Sequence, residues 1–251
     1  MNVATTLLPL AFAIATVFTP PVLADTPPPL PPAYQHAVVD AAFPDESEIA
    51  HDLVPVTPDN KGLVWSADGT RIRVVSWKAK GAYEQFLKPY DHTSENPDYV
   101  VWVTTTPQVR HFCRTYLKDH PKADAAALDL RLKQYLGLAP DWSYDVFVEM
   151  WVKPEDMFRP CVDPQIDDQT CDLHFGKDTP TVAGLENYRQ FYSDLYYKSF
   201  RSGTGVPWTG LGYTYDWGNP KSDGGASEFI LVPGAAYEII DAVPTETYCR
   251  R

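Results

Sequence analysis

The sequence predicts an α+β fold, in which an antiparallel sheet carries about three helices and disulfide bonds stabilise a single compact domain. Three observations indicate this class. Several short segments alternate apolar and polar residues, as half-buried strands do. Longer segments between them carry an apolar stripe at helical spacing. Four cysteines form an even set, and hairpins separated by helices are typical of α+β domains.

Three strands are predicted in the body of the chain. The first, residues 71–77 (RIRVVSW), follows the turn at 66–69, where an Asp-Gly pair between two apolar runs predicts a hairpin. The second is residues 98–105 (DYVVWVTT), and the third is residues 144–152 (YDVFVEMWV). The alternation in each segment places successive side chains on opposite faces of a sheet.

Three helices are predicted around these strands. Thr106 and Pro107 read as the cap and first residue of one helix, whose apolar residues recur every three or four positions. Another helix covers 124–136 and ends at Gly137, a residue type favoured just past a helix end. The third is an amphipathic helix within 181–201.

The N-terminus predicts export from the cytosol. Residues 1–24 contain a short apolar run and end in Ala24, as a removable signal peptide does. The run is too short to span a membrane, which takes about 20 residues; an uncut anchor is the alternative. Residues 25–60 read as a Pro-rich spacer and N-terminal arm, and 61–251 as the α+β domain. We therefore expect a secreted or periplasmic protein with no membrane span after signal removal.

The cysteines predict two disulfides, because exported chains with an even count usually pair them. Cys161 and Cys171 bracket a short acidic loop, and a bond from Cys113 to Cys249 would hold the C-terminus on the body. Free thiols or a metal site are the alternatives. The acids of the loop fit no calcium-binding EF-hand spacing. No metal site and no cofactor are predicted.

Composition and motifs exclude some function classes. The formal net charge is -12, and an acidic surface repels phosphate backbones, so we expect no nucleic-acid binding. The sequence contains no P-loop, no dinucleotide-binding glycine turn and no nucleophile elbow. A small polar ligand or a glycan is the partner class that remains.

Glu149 is the first candidate catalytic residue. On the predicted strand 144–152 it shares a face with Phe147 and Trp151. A carboxylate between aromatic rings can have a raised pKa and act as an acid or base. The alternative is an edge glutamate paired with Lys153 or an arginine.

The aromatic loop, residues 206–229, is the predicted ligand-binding segment. It combines glycine, aromatic residues, acids and an amide in a stretch too irregular for a helix, and such loops often carry function. The alternative is a surface loop packed by its own aromatic rings. The candidate ligand-binding residues are Trp208, Tyr213, Tyr215, Asp216, Trp217 and Asn219.

Glu228 is the second candidate catalytic residue. It opens a predicted C-terminal hairpin, with strands at 226–232 and 237–240 joined by a Pro-Gly turn. This segment of about 14 residues resembles the glutamate strand of ADP-ribosyltransferases. The resemblance implies that Glu228 holds the nicotinamide-side ribose of NAD, with Arg71 or Arg73 as the arginine on the early strand. The Ser-Thr-Ser stretch of that family is absent.

Two functions from different classes follow. The first is an exported enzyme, a hydrolase or a glycosyl or ADP-ribosyl transferase, that uses the aromatic loop with Glu149 or Glu228. The second is a non-catalytic envelope protein that recognises a ligand or partner through the same loop. An enzyme requires a deep pocket where polar groups converge with the aromatic rings. A binding protein would instead present an exposed aromatic patch.

Overall fold

The computed structural model describes residues 29–251, so the predicted signal peptide at 1–24 lies outside the described part. This part contains seven strands and six α-helices, together with two 3-10 helices at Glu46–Glu48 and Pro154–Asp156. In chain order the elements are α1 (Pro32–Asp40), β1 (Ile72–Lys78), α2 (Lys80–Phe86), β2 (Val101–Thr105), α3 (Thr106–Asp119), α4 (Ala125–Tyr135), β3 (Val146–Val152), β4 (Met157–Phe158), α5 (Tyr188–Arg201), β5 (Tyr213–Tyr215), β6 (Gly224–Leu231), β7 (Tyr237–Pro244) and α6 (Thr245–Arg250).

The strands form one curled antiparallel sheet in the order β4-β6-β2-β1-β3-β7, with β5 paired to β6 off this path. The ladder between β1 and β3 is continuous along both strands. Between β1 and β2 it contains only the pairs Val74↔Thr105 and Val75↔Thr104. The two central strands therefore pair only briefly, which opens the sheet beyond Val75.

The α+β class, the antiparallel sheet and the disulfides are confirmed, but the expectation of about three helices is wrong. Six α-helices occur in residues 29–251. Helix α2, with seven residues, lies where residues 81–87 read as a short helix, whereas the six-residue α6 is not predicted. Such helices are too short to show an apolar stripe over two turns, and packing against the body rather than propensity stabilises them.

Paired residues on neighbouring antiparallel strands share a face of the sheet. One face carries Val75, Trp77 and Phe147, which form a buried cluster with residues of α3, α4 and α6. The opposite face carries residues such as Val74 and Val148, which pack with the N-terminal arm. Burial on both faces leaves the sheet enclosed, so polar side chains on it need partners or a cavity.

Both disulfides form with the preferred pairing. Cys113 on α3 bonds Cys249 on α6, with Cα atoms 5.4 Å apart. Cys161 bonds Cys171, with Cα atoms 6.3 Å apart, and closes the acidic loop. The acidity of this loop has a structural partner, because the fully buried Arg159 pairs with Asp168 at 2.5 Å.

The predicted C-terminal hairpin is wrong. Strands β6 and β7 lie at separate places in the sheet, β6 beside β2 and β7 beside β3. The turn itself forms, since Ala235 N donates to Val232 O and Gly234 has φ 74°. A Pro-Gly turn with positive φ at its second central residue is of type II, whose twist splays flanking strands apart.

Two helix starts also differ from the prediction. Thr105 rather than Thr106 is the residue that precedes α3, because β2 runs directly into the helix. Helix α5 begins at Tyr188, with the Asn187 side chain accepting from Gln190 N, so 181–187 lie outside it. Within residues 29–251, every helix is too short or too polar to cross a membrane.

Candidate functional site

A cavity of about 340 Å³ lies where β1 and β2 separate, between the sheet, α5 and the aromatic loop. Its walls are mainly apolar, and four tryptophans line it: Trp77, Trp102, Trp142 and Trp208. Ligand pockets are usually concave, apolar and equipped with a few polar groups. The cavity has this character.

The opening between β1 and β2 has a local cause. At Ser76 a side chain replaces the backbone ladder, because its hydroxyl donates to Trp102 O at 2.8 Å. The cavity therefore reaches the unpaired edge of β1, and its lining includes all residues from Val75 to Lys78.

Glu228 lies on β6 in the wall of this cavity and is 6% exposed. Burial raises the pKa of Glu228 to about 8, although the indole of Trp208 favours the charged form. Among residues 29–251, neither Glu228 Oε1 nor Trp208 Nε1 has a hydrogen-bond partner of normal geometry. At neutral pH Glu228 is therefore mostly a protonated, neutral acid.

Other polar groups converge on the same cavity. Thr104 is the direct cross-strand partner of Glu228 and also lines the cavity. Ser199 contributes a buried side chain from α5, and Lys78 lies at the end of β1. Burial lowers the pKa of Lys78. The cavity thus offers a protonated acid, hydroxyls and an amine within aromatic walls.

Glu149, the other candidate catalytic residue, lies outside this cavity. It is 3% exposed and forms an ion pair with Arg110 of α3. The Arg73 guanidinium lies 4.0 Å from its second oxygen. Two guanidinium groups account for the charge of Glu149, which matches the alternative of a structural glutamate paired with an arginine.

Most of the predicted ligand-binding residues have protein partners elsewhere. Of the six, Trp208 lines the cavity. The others are placed as follows: Tyr213 OH donates to Glu48 O, Tyr215 OH to Asp40, and Trp217 Nε1 to Leu138 O; Asp216 accepts two hydrogen bonds from Arg131, and Asn219 accepts from Lys221 N. The tyrosines, Asp216 and Trp217 are buried. The aromatic loop therefore packs mainly against the protein.

Sequence reasoning missed the walls contributed by strands and by α5. Trp77 and Trp102 lie within the predicted strands, and Leu195 lies within the predicted third helix. Each fits an apolar pattern and reads as core. The one available signal was a large aromatic residue near the end of two neighbouring strands.

Neither arginine implied by the ADP-ribosyltransferase resemblance lines the Glu228 cavity. Arg71 pairs with Glu238 at 2.5 Å, and Arg73 stacks over Trp151 beside Glu149. The glutamate and the arginines therefore belong to different parts of the sheet.

One acidic trio has the spacing of a cation site. The carboxylates of Asp40, Glu48 and Asp223 lie within 4.8 Å of one another. Burial and the neighbouring acids raise the pKa of Glu48. Tyr215 OH donates to Asp40, and Asp45 N donates to Glu48. These contacts engage Asp40 and Glu48, and we assign no metal to the cluster.

Comparison with known proteins gives no match to a family model, to a curated protein or to a solved structure.

Proposed function

We propose that this protein is an exported enzyme that acts on a small molecule in the tryptophan-lined cavity, with Glu228 as its general acid. The observation that carries this proposal is a buried carboxyl at the wall of an apolar cavity that forms no ion pair or hydrogen bond of normal geometry with residues 29–251, its one polar neighbour being the indole of Trp208. An acid with a pKa near 8 is still protonated at neutral pH and readily donates its proton. The two disulfides support an oxidising compartment.

The chemistry that fits is acid-assisted cleavage of a bond to oxygen. Glu228 would transfer its proton to the departing oxygen, while a water or an acceptor alcohol attacks the atom left behind. The attacking group then loses a proton, which restores the protonated Glu228. Water as the acceptor makes the enzyme a hydrolase, and an alcohol makes it a glycosyl or related transferase.

The cavity walls indicate the kind of substrate. Trp77, Trp102, Trp142 and Trp208 offer flat apolar surfaces for an aromatic ring or the apolar face of a sugar. The ADP-ribosyl branch is the least supported, because Arg71 and Arg73 lie away from the cavity. We therefore favour hydrolysis or glycosyl transfer.

A panel of nitrophenyl esters and nitrophenyl glycosides tests the proposal, because their aromatic leaving group suits the cavity. We expect turnover by the wild type that falls as pH rises through about 8. E228Q should lose about 100-fold or more of this activity and still bind the substrate. E246Q, which changes an exposed glutamate of α6, is the matched control and should keep full activity.

A second candidate is a non-catalytic binding protein that uses the same cavity. One observation favours it: Glu228 is the single carboxyl among the residues that line the cavity, whereas glycoside hydrolysis normally uses two. Binding without turnover would support this candidate and reject the enzyme. Phenylhexanol should then raise the melting temperature of the wild type, since a ligand of the native state stabilises it.

A further inference from the structure

A second depression, the acidic groove, adjoins the tryptophan-lined cavity. It has a volume of about 560 Å³ and lies between α5 and the segment that precedes β2. Trp102, Leu195 and Lys198 line both the groove and the cavity. A molecule that fills the cavity therefore has a direct continuation along the surface of α5.

The groove is strongly negative. Its lining includes Glu95, Asp98, Glu186 and Asp194, with Lys198 as the single basic residue. Lys198 already pairs with Asp98 at 2.5 Å. Within residues 29–251, the other three carboxylates form no ion pair. The groove thus holds uncompensated negative charge that favours a cation.

The cavity contributes an independent indication of a ligand. In the described part of the chain, the buried atoms Glu228 Oε1 and Trp208 Nε1 form no hydrogen bond of normal geometry, although the two side chains are neighbours, and buried polar groups in native proteins normally form one. Both side chains line the cavity that meets the groove at Trp102. A ligand anchored at Glu228 would account for these atoms.

We propose that the occupant of the cavity extends into the acidic groove and carries a basic amine there, so that the ligand is an apolar or aromatic molecule with a cationic tail. This inference rests on the proposed use of the cavity. The Lys198–Asp98 pair does not block the path, because both side chains are more than half exposed and such pairs are weak. The ligand amine can replace Lys198 beside Asp98.

Two probes with the same apolar body test this inference: phenylhexylamine, which is cationic, and phenylhexanol, which is neutral. Their dissociation constants are measured by tryptophan fluorescence on the full chain. We expect the amine to bind more tightly in low salt and to lose this advantage as salt rises. E186Q/D194N should weaken amine binding about threefold to tenfold and leave the alcohol unchanged.

Two further variants complete the design. E246Q/D119N removes the same formal charge at exposed positions away from the groove, and it should bind both probes like the wild type. V206F places bulk at a residue that lines the cavity but not the groove, and it should weaken both probes.

The outcomes separate the two proposals. Failure of both probes to bind would overturn the use of the cavity and, with it, this inference. Equal binding of the two probes, or amine binding that E186Q/D194N does not weaken, would overturn this inference and leave the proposed use of the cavity intact. Unchanged amine binding in V206F would show that the amine binds in the groove without entering the cavity. This result would also overturn the inference.

Discussion

Two buried glutamates lie in one row across the sheet and have opposite surroundings. Glu149 on β3 pairs with Val75 on β1, Val75 with Thr104 on β2, and Thr104 with Glu228 on β6. The two glutamates are thus three strand spacings apart, or about 14 Å along the row. Glu149 has two guanidinium partners, whereas Glu228 has no charged partner within 4.0 Å in the described part of the chain.

The layer above the sheet makes the difference. Helix α3 brings Arg110 over Glu149, and the Cys113–Cys249 disulfide holds that helix to α6. Over Glu228 lie α5 and Trp208, which contribute apolar surface and leave a cavity. A carboxylate at equivalent sheet positions becomes a structural ion pair under the first layer and a neutral acid under the second.

The largest loss of stability should come from removing the disulfide that holds the helices above Glu149. The Cys113–Cys249 bond closes a loop with a sequence separation of 136 residues, so C113A/C249A should lower the free energy of unfolding by about 5 kcal/mol. Urea denaturation measures this. C161A/C171A is the control, and its separation of 10 residues predicts a loss of about 3 kcal/mol. Equal losses would show that loop length does not govern the stability of the Glu149 side.

The next largest effect should come from Glu149 itself. E149Q leaves the Arg110 and Arg73 guanidinium groups without their counter-charge, and breaking a buried pair costs about 3–5 kcal/mol. E238Q is the control, because its pair with Arg71 is exposed and should contribute less than about 1 kcal/mol. An E149Q protein as stable as E238Q would remove the distinction between the two glutamates.

E228Q should change the free energy of unfolding in the opposite direction and stabilise the protein. The folded-state pKa of Glu228 is about 8, well above its ordinary value of 4.5, so the folded chain holds a proton that the unfolded chain releases. The contribution of Glu228 to wild-type stability should therefore be greatest below pH 4.5 and fall as pH rises to about 8.

E228Q cannot ionise and should escape this loss. Relative to the wild type it should gain about 2–4 kcal/mol between pH 5 and pH 8, measured by urea denaturation at both values. E246Q, on the exposed face of α6, should follow the wild type at both pH values. A stability difference between E228Q and the wild type that is the same at both pH values would mean that Glu228 ionises normally.

The sequence predicts the strands in the sheet better than it predicts which side chains contact the two glutamates. Residues 71–77, 98–105 and 144–152 each contain a strand, because alternation is a local pattern. Glu228 was a candidate because an acid opening an apolar strand is visible in the sequence. The Arg110–Glu149 pair joins residues 39 positions apart and depends on how α3 crosses the sheet.

The aromatic loop shows a second limit. Tyr213 and Trp217 are residue types that are common on binding surfaces. Their rings nevertheless pack within the protein, and their polar atoms donate to backbone carbonyls. An aromatic ring makes the same kinds of contact whether it packs against the protein or against a ligand. The strand order decides which occurs, and it arises from non-local pairing such as that of β6 with β2.

The smallest expected effect is a change in the pKa of Glu228. It tests whether a nearby cation alone accounts for the difference between the two glutamates. Thr104 lies directly opposite Glu228, so T104K would place an ammonium group beside the carboxyl, as Arg73 and Arg110 lie beside Glu149. An opposite charge at this range favours the ionised form. The pKa of Glu228 should fall by about one pH unit or more, as followed by carbon NMR of the side-chain carboxyl.

T104M is the matched control, because it fills similar space in the cavity without charge. Filling the cavity further removes water from Glu228 and so keeps its pKa at about 8 or above. A fall of the same size in T104M and T104K would show that space, and not charge, sets the pKa. A fall confined to T104K would show that Glu228 remains an acid because this side of the sheet has no cation beside it.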